Sequence, residues 1–203
     1  MNRFEHEIGE IYRLKIPFEN IYTSVFLVYT SEGAILIDCA TTAEDVEAYI
    51  LPALSDRGLK LSDIGQIVIT HPHSDHAGGL SCILALAPAI RVVRAACRLA
   101  DGVETYALPG HTEDHIGLLD ARCRTLISGD GLQGAGVDRY RCSVPHVDAY
   151  FATLEKIKKD ERIENILFSH AYEPWLSDRA LGRTAAMDCV AQCPRYVSKI
   201  GQK

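Results

Sequence analysis

Three histidines and one aspartate lie within six residues of this chain. The segment follows directly after an apolar run, 67–70, and its residues are His71, Pro72, His73, Ser74, Asp75 and His76. Imidazole and carboxylate groups are good ligands for a borderline transition metal. A polar loop that is rich in histidine by chance is the alternative. The density of ligands in this segment, called the histidine cluster below, predicts a metal site.

Three further donors share one setting, because each comes at the end of a predicted short strand. They are His111, Asp130 and His170. Strand ends hold side chains rigidly, and the loops beside them leave room for a substrate. Glycines at 110 and 129 permit tight turns beside two of these donors. Taken singly, each has another interpretation, as a buried hydrogen-bonded histidine or an aspartate in an Asx-turn. Taken together with the histidine cluster, they predict a convergent set of ligands.

Strands and helices that alternate in blocks must position these donors. β-branched and apolar patterns predict strands at 10–16, 24–29, 34–38, 66–70, 91–94, 106–108, 116–120, 125–128 and 163–168. Capping and helical periodicity predict helices from Thr41-Thr42-Ala43-Glu44 to about Arg57, from Gly78-Gly79 to about Ala87, at 145–159 and at about 178–198. This alternation predicts a mixed α/β chain in which helices cover the sheets.

Composition fits one globular domain over residues 1–203, because the chain has no repeat, low-complexity segment or Gly/Ser linker. The apolar content is 47%, and the formal net charge of -6 argues against a general nucleic-acid binder. Met1 to Glu10 is polar, and the most apolar stretch, 82–90, is too short to span a bilayer. We therefore expect a cytoplasmic protein with no membrane partner. The sequence gives no indication of the oligomeric state.

Seven cysteines with irregular spacing do not suggest a disulfide framework, and reduced thiols are expected. Cys189 and Cys193 are spaced i, i+4 on the predicted last helix. They are either small residues on a packed face or a pair that meets, and the sequence does not decide their role.

The chain resembles the metallo-β-lactamase-fold hydrolases. The resemblance covers roughly residues 21–175 and rests on three contexts: the histidine cluster with its flanking Thr70, Gly78 and Gly79; Pro109-Gly110-His111-Thr112; and Ser128-Gly129-Asp130. Asp38, after Ile35-Leu36-Ile37, matches the early aspartate of that family, which usually supports the metal ligands. The resemblance implies a single-domain four-layer αβ/βα sandwich with metals at the sheet ends.

Carried over residue by residue, the resemblance implies two metal ions. His71, His73 and His111 would bind one; Asp75, His76 and His170 would bind the other, with Asp130 bridging. The spacing of His71 and His73 supports a shared metal, because side chains at i and i+2 in extended backbone point the same way. Asp75 and His76 follow a turn and can reach a second metal.

Two metals about 3.5–4 Å apart can hold a bridging hydroxide, because a metal can lower the pKa of bound water to about 7. That hydroxide would attack a carbonyl, phosphoryl or sulfuryl centre. Asp130 would hold both metals, and Asp75 would accept or relay a proton, so both are expected to be catalytic. Zinc suits imidazole with carboxylate, and iron or manganese fits the same set.

The leading prediction is a metal-dependent hydrolase of a small ester, lactone, thioester or phosphoester. One alternative is a mononuclear iron dioxygenase of the persulfide type; another is a non-catalytic metal-binding member of the fold. Tyr140 and Tyr172 are candidates for the substrate pocket, with packing or exposure as the other interpretation. His115 is expected to be structural, with metal ligand or proton shuttle as its alternative.

Overall fold

Each half of the chain folds around its own six-stranded sheet. The computed structural model describes residues 3–132, 144–172, 177–195 and 197. Its contacts divide the chain into two compact units, residues 1–94 and 95–203. Within the described helices, none is both long and apolar enough to cross a bilayer.

The first unit has a sheet whose strands follow one another in chain order. The strands are β1 (Glu5–Ile8), β2 (Ile11–Phe18), β3 (Ile21–Thr30), β4 (Gly33–Ile37), β5 (Ile64–Val68) and β6 (Arg91–Val93). Neighbours from β1 to β4 are antiparallel, whereas β5 and β6 are parallel to β4. Because parallel strands need crossovers, the helices of this unit lie in the connections on either side of β5.

The first of these connections is one helical segment with an irregular middle. It consists of α1 (Ala43–Asp45), a π-helical turn (Val46–Ile50) and α2 (Leu51–Asp56). The sequence predicted a cap at Thr41-Thr42, and the capping residue is Thr42: its hydroxyl accepts from the Asp45 amide at 3.1 Å and the Asp45 carboxylate accepts from the Thr42 amide at 3.1 Å. The sequence predicted an uninterrupted helix. Pro52 has no N–H to donate, which favours a wider turn just before it.

Three short helices complete the first unit. A 3-10 turn (Leu61–Asp63) precedes β5, and α3 (Ser74–Ala77) and α4 (Leu80–Leu86) follow it. The helices bury their apolar sides against one face of the sheet. This core includes Leu14, Leu27, Leu36, Val46, Ile50, Leu54, Ile67 and Ile83. Alternate strand residues such as Phe26, Ile37 and Val68 are fully buried as well, so both faces of the central strands are apolar.

The second unit repeats the pattern with the strands in reverse order. Its strands are β7 (Arg98–Ala100), β8 (Val103–Ala107), β9 (Ile116–Asp120), β10 (Thr125–Ile127), β11 (Asn165–Tyr172) and β12 (Ser177–Ala180). β7 to β10 form an antiparallel meander, β11 is parallel to β10, and β12 is antiparallel to β11. Helix α5 (Val147–Lys159) makes the crossover between β10 and β11, and α6 (Arg183–Gln192) follows β12.

The last predicted helix begins later than expected. The sequence predicted a helix from residue 178, but residues 177–180 form β12 and α6 starts only at Arg183. Gly182 separates the two with a backbone φ of +84°, a conformation that breaks a helix and favours glycine. Cys189 and Cys193 are buried in the core between α5 and β11, where Cys193 donates to the Cys189 carbonyl at 3.4 Å. Their observed position is that of small residues on a packed face.

Candidate metal centre

The histidine cluster begins just after β5 and ends on helix α3. The strand was predicted to reach Thr70, but it ends at Val68, and the Ile69 amide then donates to Val93 in β6 at 3.0 Å. His73 has extended backbone and precedes the first turn of α3. Asp75 and His76 therefore lie on a short helix rather than in a loop, while His71 and His73 come from the extended segment before it.

Within the histidine cluster, two pairs of donor atoms lie about as far apart as two ligands of one zinc ion. His71 Nε2 is 3.1 Å from His73 Nδ1, and His76 Nε2 is 3.2 Å from Asp75 Oδ2. Two atoms bound to one tetrahedral zinc at 2.0–2.1 Å lie about 3.4 Å apart. Each pair therefore has the spacing of two ligands of a single ion. His71 and His76 are buried, whereas His73 is exposed and Asp75 is partly exposed.

A buried carboxylate lies behind the histidine cluster. Asp38 follows β4 with a φ of +61°, which turns its side chain towards Thr70 and His76. Asp38 Oδ1 accepts from the Thr70 amide at 2.8 Å, and Asp38 Oδ2 lies 2.7 Å from His76 Nδ1. The Thr70 hydroxyl contacts both carboxylate oxygens, at 3.0 and 2.9 Å. Asp38 thus holds side chains of the cluster from behind.

Two glycines let α3 and α4 approach the turn after β4. A Cβ on Gly78 would lie 1.8 Å from the Thr41 carbonyl oxygen, and one on Gly79 would lie 2.2 Å from the Cys39 carbonyl oxygen. Backbone hydrogen bonds fix the same approach, from Cys39 N to His76 O at 2.8 Å and from Gly79 N to Ala40 O at 3.2 Å. The double glycine therefore sets the position of the cluster relative to Asp38.

The donors of the second unit come from three neighbouring strands. His111 follows β8, Asp130 follows β10, and His170 lies within β11. The expectation that His170 follows the end of its strand is wrong, because β11 continues to Tyr172 with an irregular register against β12. All three donors are buried, with no more than 3% of each residue exposed. Buried polar groups of this kind need partners, and a metal ion is one such partner.

Asp130 lies between the two histidines of this unit. Its Oδ1 is 3.3 Å from His170 Nε2, and its Oδ2 is 3.8 Å from His111 Nε2. The two oxygens of one carboxylate thus face different imidazoles.

Helix α5 supports the loop that carries His111. The His146 amide donates to Gly110 O at 3.2 Å, and the Thr153 hydroxyl donates to Pro109 O at 2.8 Å. Gly110 has a φ of +151°, and a Cβ there would lie 2.7 Å from the Tyr150 ring. Sequence reasoning missed this support, since nothing in the spacing of α5 residues indicates which loop they contact.

Four other residues that are candidates for the site or lie near it are not among the predicted metal ligands. Tyr140 lies outside the described residues, as does the side chain of Tyr172. His115 is buried with 1% exposed, and its ring centre is 6.1 Å from that of His111. Cys39 is close to His76, but burial raises the pKa of its thiol, which donates to the His76 carbonyl at 3.2 Å. A neutral thiol is a poor metal ligand.

The seven donors fit a divalent transition metal. They comprise five imidazoles and two carboxylates, which suit zinc, iron or manganese better than calcium or magnesium. In each unit, the donor atoms lie 3.1 to 3.8 Å from a neighbouring donor, close to the edge of a zinc coordination tetrahedron. The residues present therefore fit the ions that the resemblance implies.

This chain is similar to a family model, to curated proteins and to solved structures. The family model of the metallo-beta-lactamase superfamily matches residues 20–95, which include the histidine cluster. A Caenorhabditis elegans protein named beta-lactamase-like protein 2 homolog is 30% identical over 164 residues, covering 70% of this chain and 54% of the relative. A hydroxyacylglutathione hydrolase of Stenotrophomonas maltophilia is 30% identical over 132 residues, covering 57% of this chain and 48% of the relative.

A fungal relative and a solved structure extend the comparison. Thioesterase pkgB of Emericella nidulans is 30% identical over 128 residues, covering 56% of this chain and 37% of the relative. The chain thus spans about half or less of the length of these curated relatives. The FIM-1 metallo-beta-lactamase of Pseudomonas aeruginosa, in its mono-zinc form, superposes with a TM-score of 0.72 at 16% identity, covering 100% of this chain and 97% of that one.

The structural likeness confirms the predicted fold class, that of the metallo-β-lactamases. The motifs, the family model and the curated relatives agree with it. The chain therefore has the metallo-β-lactamase fold, and its residues 20–95 match the family model of the metallo-beta-lactamase superfamily.

Proposed function

We propose that this chain is a metal-dependent hydrolase whose metal ligands are those that the family resemblance implies. The observation that carries the proposal is the position of Asp130, whose two oxygens face different histidines at 3.3 and 3.8 Å. A carboxylate that served one ion would need only one of these contacts. The proposed centre therefore has two metal positions.

The ligands divide between the two positions as the family pattern implies. His71, His73 and His111 would bind one ion; Asp75, His76 and His170 would bind the second, and Asp130 would contribute to both. The pairing of donors supports this division, because His71 is 3.1 Å from His73 and His76 is 3.2 Å from Asp75. Zinc is the proposed metal, since its tetrahedral geometry matches these spacings.

A divalent metal bound here would acidify water and polarise the electrophile of the substrate. Asp130 would hold the two ions at a fixed separation. Asp75 is the more exposed of the two carboxylates, with 14% of its side chain accessible against 4% for Asp130. Asp75 is therefore the group positioned to accept a proton from water and deliver it to a leaving group.

Small thioesters are the proposed first class of substrate, ahead of esters, lactones and phosphoesters. The support is the pair of relatives named hydroxyacylglutathione hydrolase and thioesterase. A thiolate is a better leaving group than an alkoxide, so a thioester makes the smallest demand on the proton donor. Tyr140 and Tyr172 remain candidates for the wall of the substrate pocket.

Elemental analysis of the purified chain tests the centre. We expect two equivalents of zinc per chain, and about one after Asp130→Ala. One equivalent of iron, together with oxygen-dependent consumption of a persulfide, would contradict the proposed hydrolysis and support the dioxygenase alternative. Asp101→Ala is the control, because its carboxylate is 90% exposed and the variant should keep the wild-type metal content.

A substrate panel tests the reaction. The panel contains an acyl-glutathione, a short acyl thioester, a lactone, an aryl ester and an aryl phosphodiester. We expect hydrolysis of a thioester that is abolished by chelation and restored by zinc. In Asp130→Ala it should fall at least about 100-fold, because removing a ligand costs more than the 10–100-fold loss seen when a partner of a ligand is removed. Absence of metal-dependent hydrolysis across the panel would favour a non-catalytic metal-binding role instead.

A further inference from the structure

Thr70 lies at the centre of the hydrogen bonds behind the histidine cluster. Its hydroxyl oxygen is 2.9 and 3.0 Å from the two oxygens of Asp38 and 3.1 Å from His71 Nδ1. The hydroxyl has one proton to donate and lone pairs with which to accept. All three residues are buried, so bulk water does not compete for these contacts.

The direction of each hydrogen bond follows from the chemistry of the three groups. A carboxylate only accepts, so the Thr70 proton must point to Asp38; otherwise two oxygen lone pairs would face each other at 2.9 Å. The hydroxyl oxygen is then left as the acceptor for His71. His71 must carry its proton on Nδ1, which leaves Nε2 as the metal-binding nitrogen.

His76 receives the same assignment directly from Asp38. Its Nδ1 is 2.7 Å from Asp38 Oδ2 but 3.5 Å from the Thr70 hydroxyl, so the carboxylate is the nearer acceptor. His76 therefore carries its proton on Nδ1 and also presents Nε2. One carboxylate thereby fixes two histidines, one by direct contact and one through a hydroxyl.

We infer that Thr70 is a positioning residue that transmits the orientation set by Asp38 to His71. The inference rests on the proposed metal centre, in which His71 and His76 belong to different ions. Thr70 then couples the two positions, because His71 and His76 depend on the same carboxylate. A hydroxyl at residue 70 is required for this role, whereas the methyl group is not.

The test is made on residues 1–203 with 15N-labelled histidine, before and after zinc addition. Imidazole 15N spectra report which ring nitrogen carries the proton, and chelator competition gives the zinc affinity. In Thr70→Val we expect His71 to lose its fixed Nδ1–H form, His76 to keep it, and zinc to bind about 10–100-fold more weakly. In Thr70→Ser both histidines and the zinc affinity should stay as in the wild type.

Three controls make the outcome decisive. Asp38→Asn should disturb His71 and His76 together, whereas Thr70→Val should disturb His71 alone. Thr125→Val removes another buried hydroxyl, one that donates to Cys123 O at 3.0 Å, and should leave the zinc affinity unchanged. Circular dichroism and thermal melting show whether each variant is folded, and Thr70→Ser supplies the comparison if Thr70→Val is not.

Two results would overturn the inference. One is a Thr70→Val chain that keeps the wild-type His71 spectrum and zinc affinity; the other is a Thr70→Ser chain as defective as Thr70→Val. Neither measurement uses enzymatic turnover. Failure of the proposed hydrolysis would therefore leave the role of Thr70 standing, and a failed role for Thr70 would leave the hydrolysis standing.

Discussion

Gly78→Ala should be strongly destabilising, although it replaces glycine by a better helix former. Gly78 ends α3, and its φ of -65° suits any residue. The obstacle is space, because the new Cβ would lie 1.8 Å from Thr41 O and 2.6 Å from Ser74 O. To reach an ordinary contact of 3.4 Å, the Thr41 carbonyl would have to retreat by about 1.6 Å.

The magnitude follows from two opposing effects. Overpacking of this severity costs about 3 kcal/mol, since backbone rather than a flexible side chain must move. Replacing glycine by alanine restores about 0.4–1 kcal/mol by restricting the unfolded chain. The net loss is about 2 kcal/mol or more, which lowers the melting temperature by at least roughly 4–8 °C for a chain of this size.

Gly65→Ala is the matched control for this prediction. A Cβ at Gly65 meets nothing within 4 Å, so only the unfolded-state effect remains there. We expect Gly65→Ala to melt at or slightly above the wild-type temperature. Thermal and urea unfolding followed by circular dichroism measure both variants. Equal stability of Gly78→Ala and Gly65→Ala would refute the steric argument.

Three further predictions concern other parts of the chain. The hydrogen-bonded Arg162 guanidinium lowers the pKa of Asp160 below its ordinary 3.8, so Asp160 stabilises the folded state above about pH 4, and this contribution is lost as pH falls through the lower folded value. Asp160→Asn should therefore be more destabilising in urea unfolding at pH 6 than at pH 3, and an equal effect at both pH values would contradict this. Burial raises the pKa of the Cys39 thiol, and the hydrogen bond that the Cys189 thiol shares with the Cys193 side chain, together with burial, raises the pKa of Cys189. At pH 8 we expect both thiols to resist a disulfide reagent until the chain is unfolded, while partly exposed Cys97 reacts, as read by mass spectrometry. Thr153→Val should cost about 1 kcal/mol through the lost bond to Pro109 O, with Thr153→Ser unaffected in the same melts.

The sequence predicted the fold class and most elements because their signals are local. The Thr42 cap, the strand at 116–120 and the helix ending at Lys159 depend on neighbouring residues, and the structure has each of them. β1, β7 and β12 were missed. Each has only three or four residues, too short for alternation to show, and their pairing with a neighbouring strand decides their structure.

The candidate ligands and Asp38 were predicted from short motifs and from the family resemblance, whereas the contacts that hold these residues in place were not predicted. The histidine cluster is dense in sequence, and its position after β5 follows from the apolar run before it. The contact of Thr153 with Pro109 joins residues 44 positions apart, and that of Thr70 with Asp38 joins residues 32 apart. Packing between distant segments creates such contacts, and no local pattern encodes them.

The left-handed backbone at Asp38 narrows what evolution can place there. The position must adopt a φ of +61° and also accept hydrogen bonds from Thr70 and His76. Glycine adopts the positive φ but has no side chain to accept hydrogen bonds. Glutamate disfavours a positive φ, and its longer side chain places the carboxylate elsewhere. Asparagine tolerates the backbone but replaces one accepting oxygen by a donor. Of these residues, aspartate alone satisfies both requirements. Substitution of residue 38 is therefore restricted by two independent constraints, and a tolerated change would need simultaneous changes at Thr70 and His76.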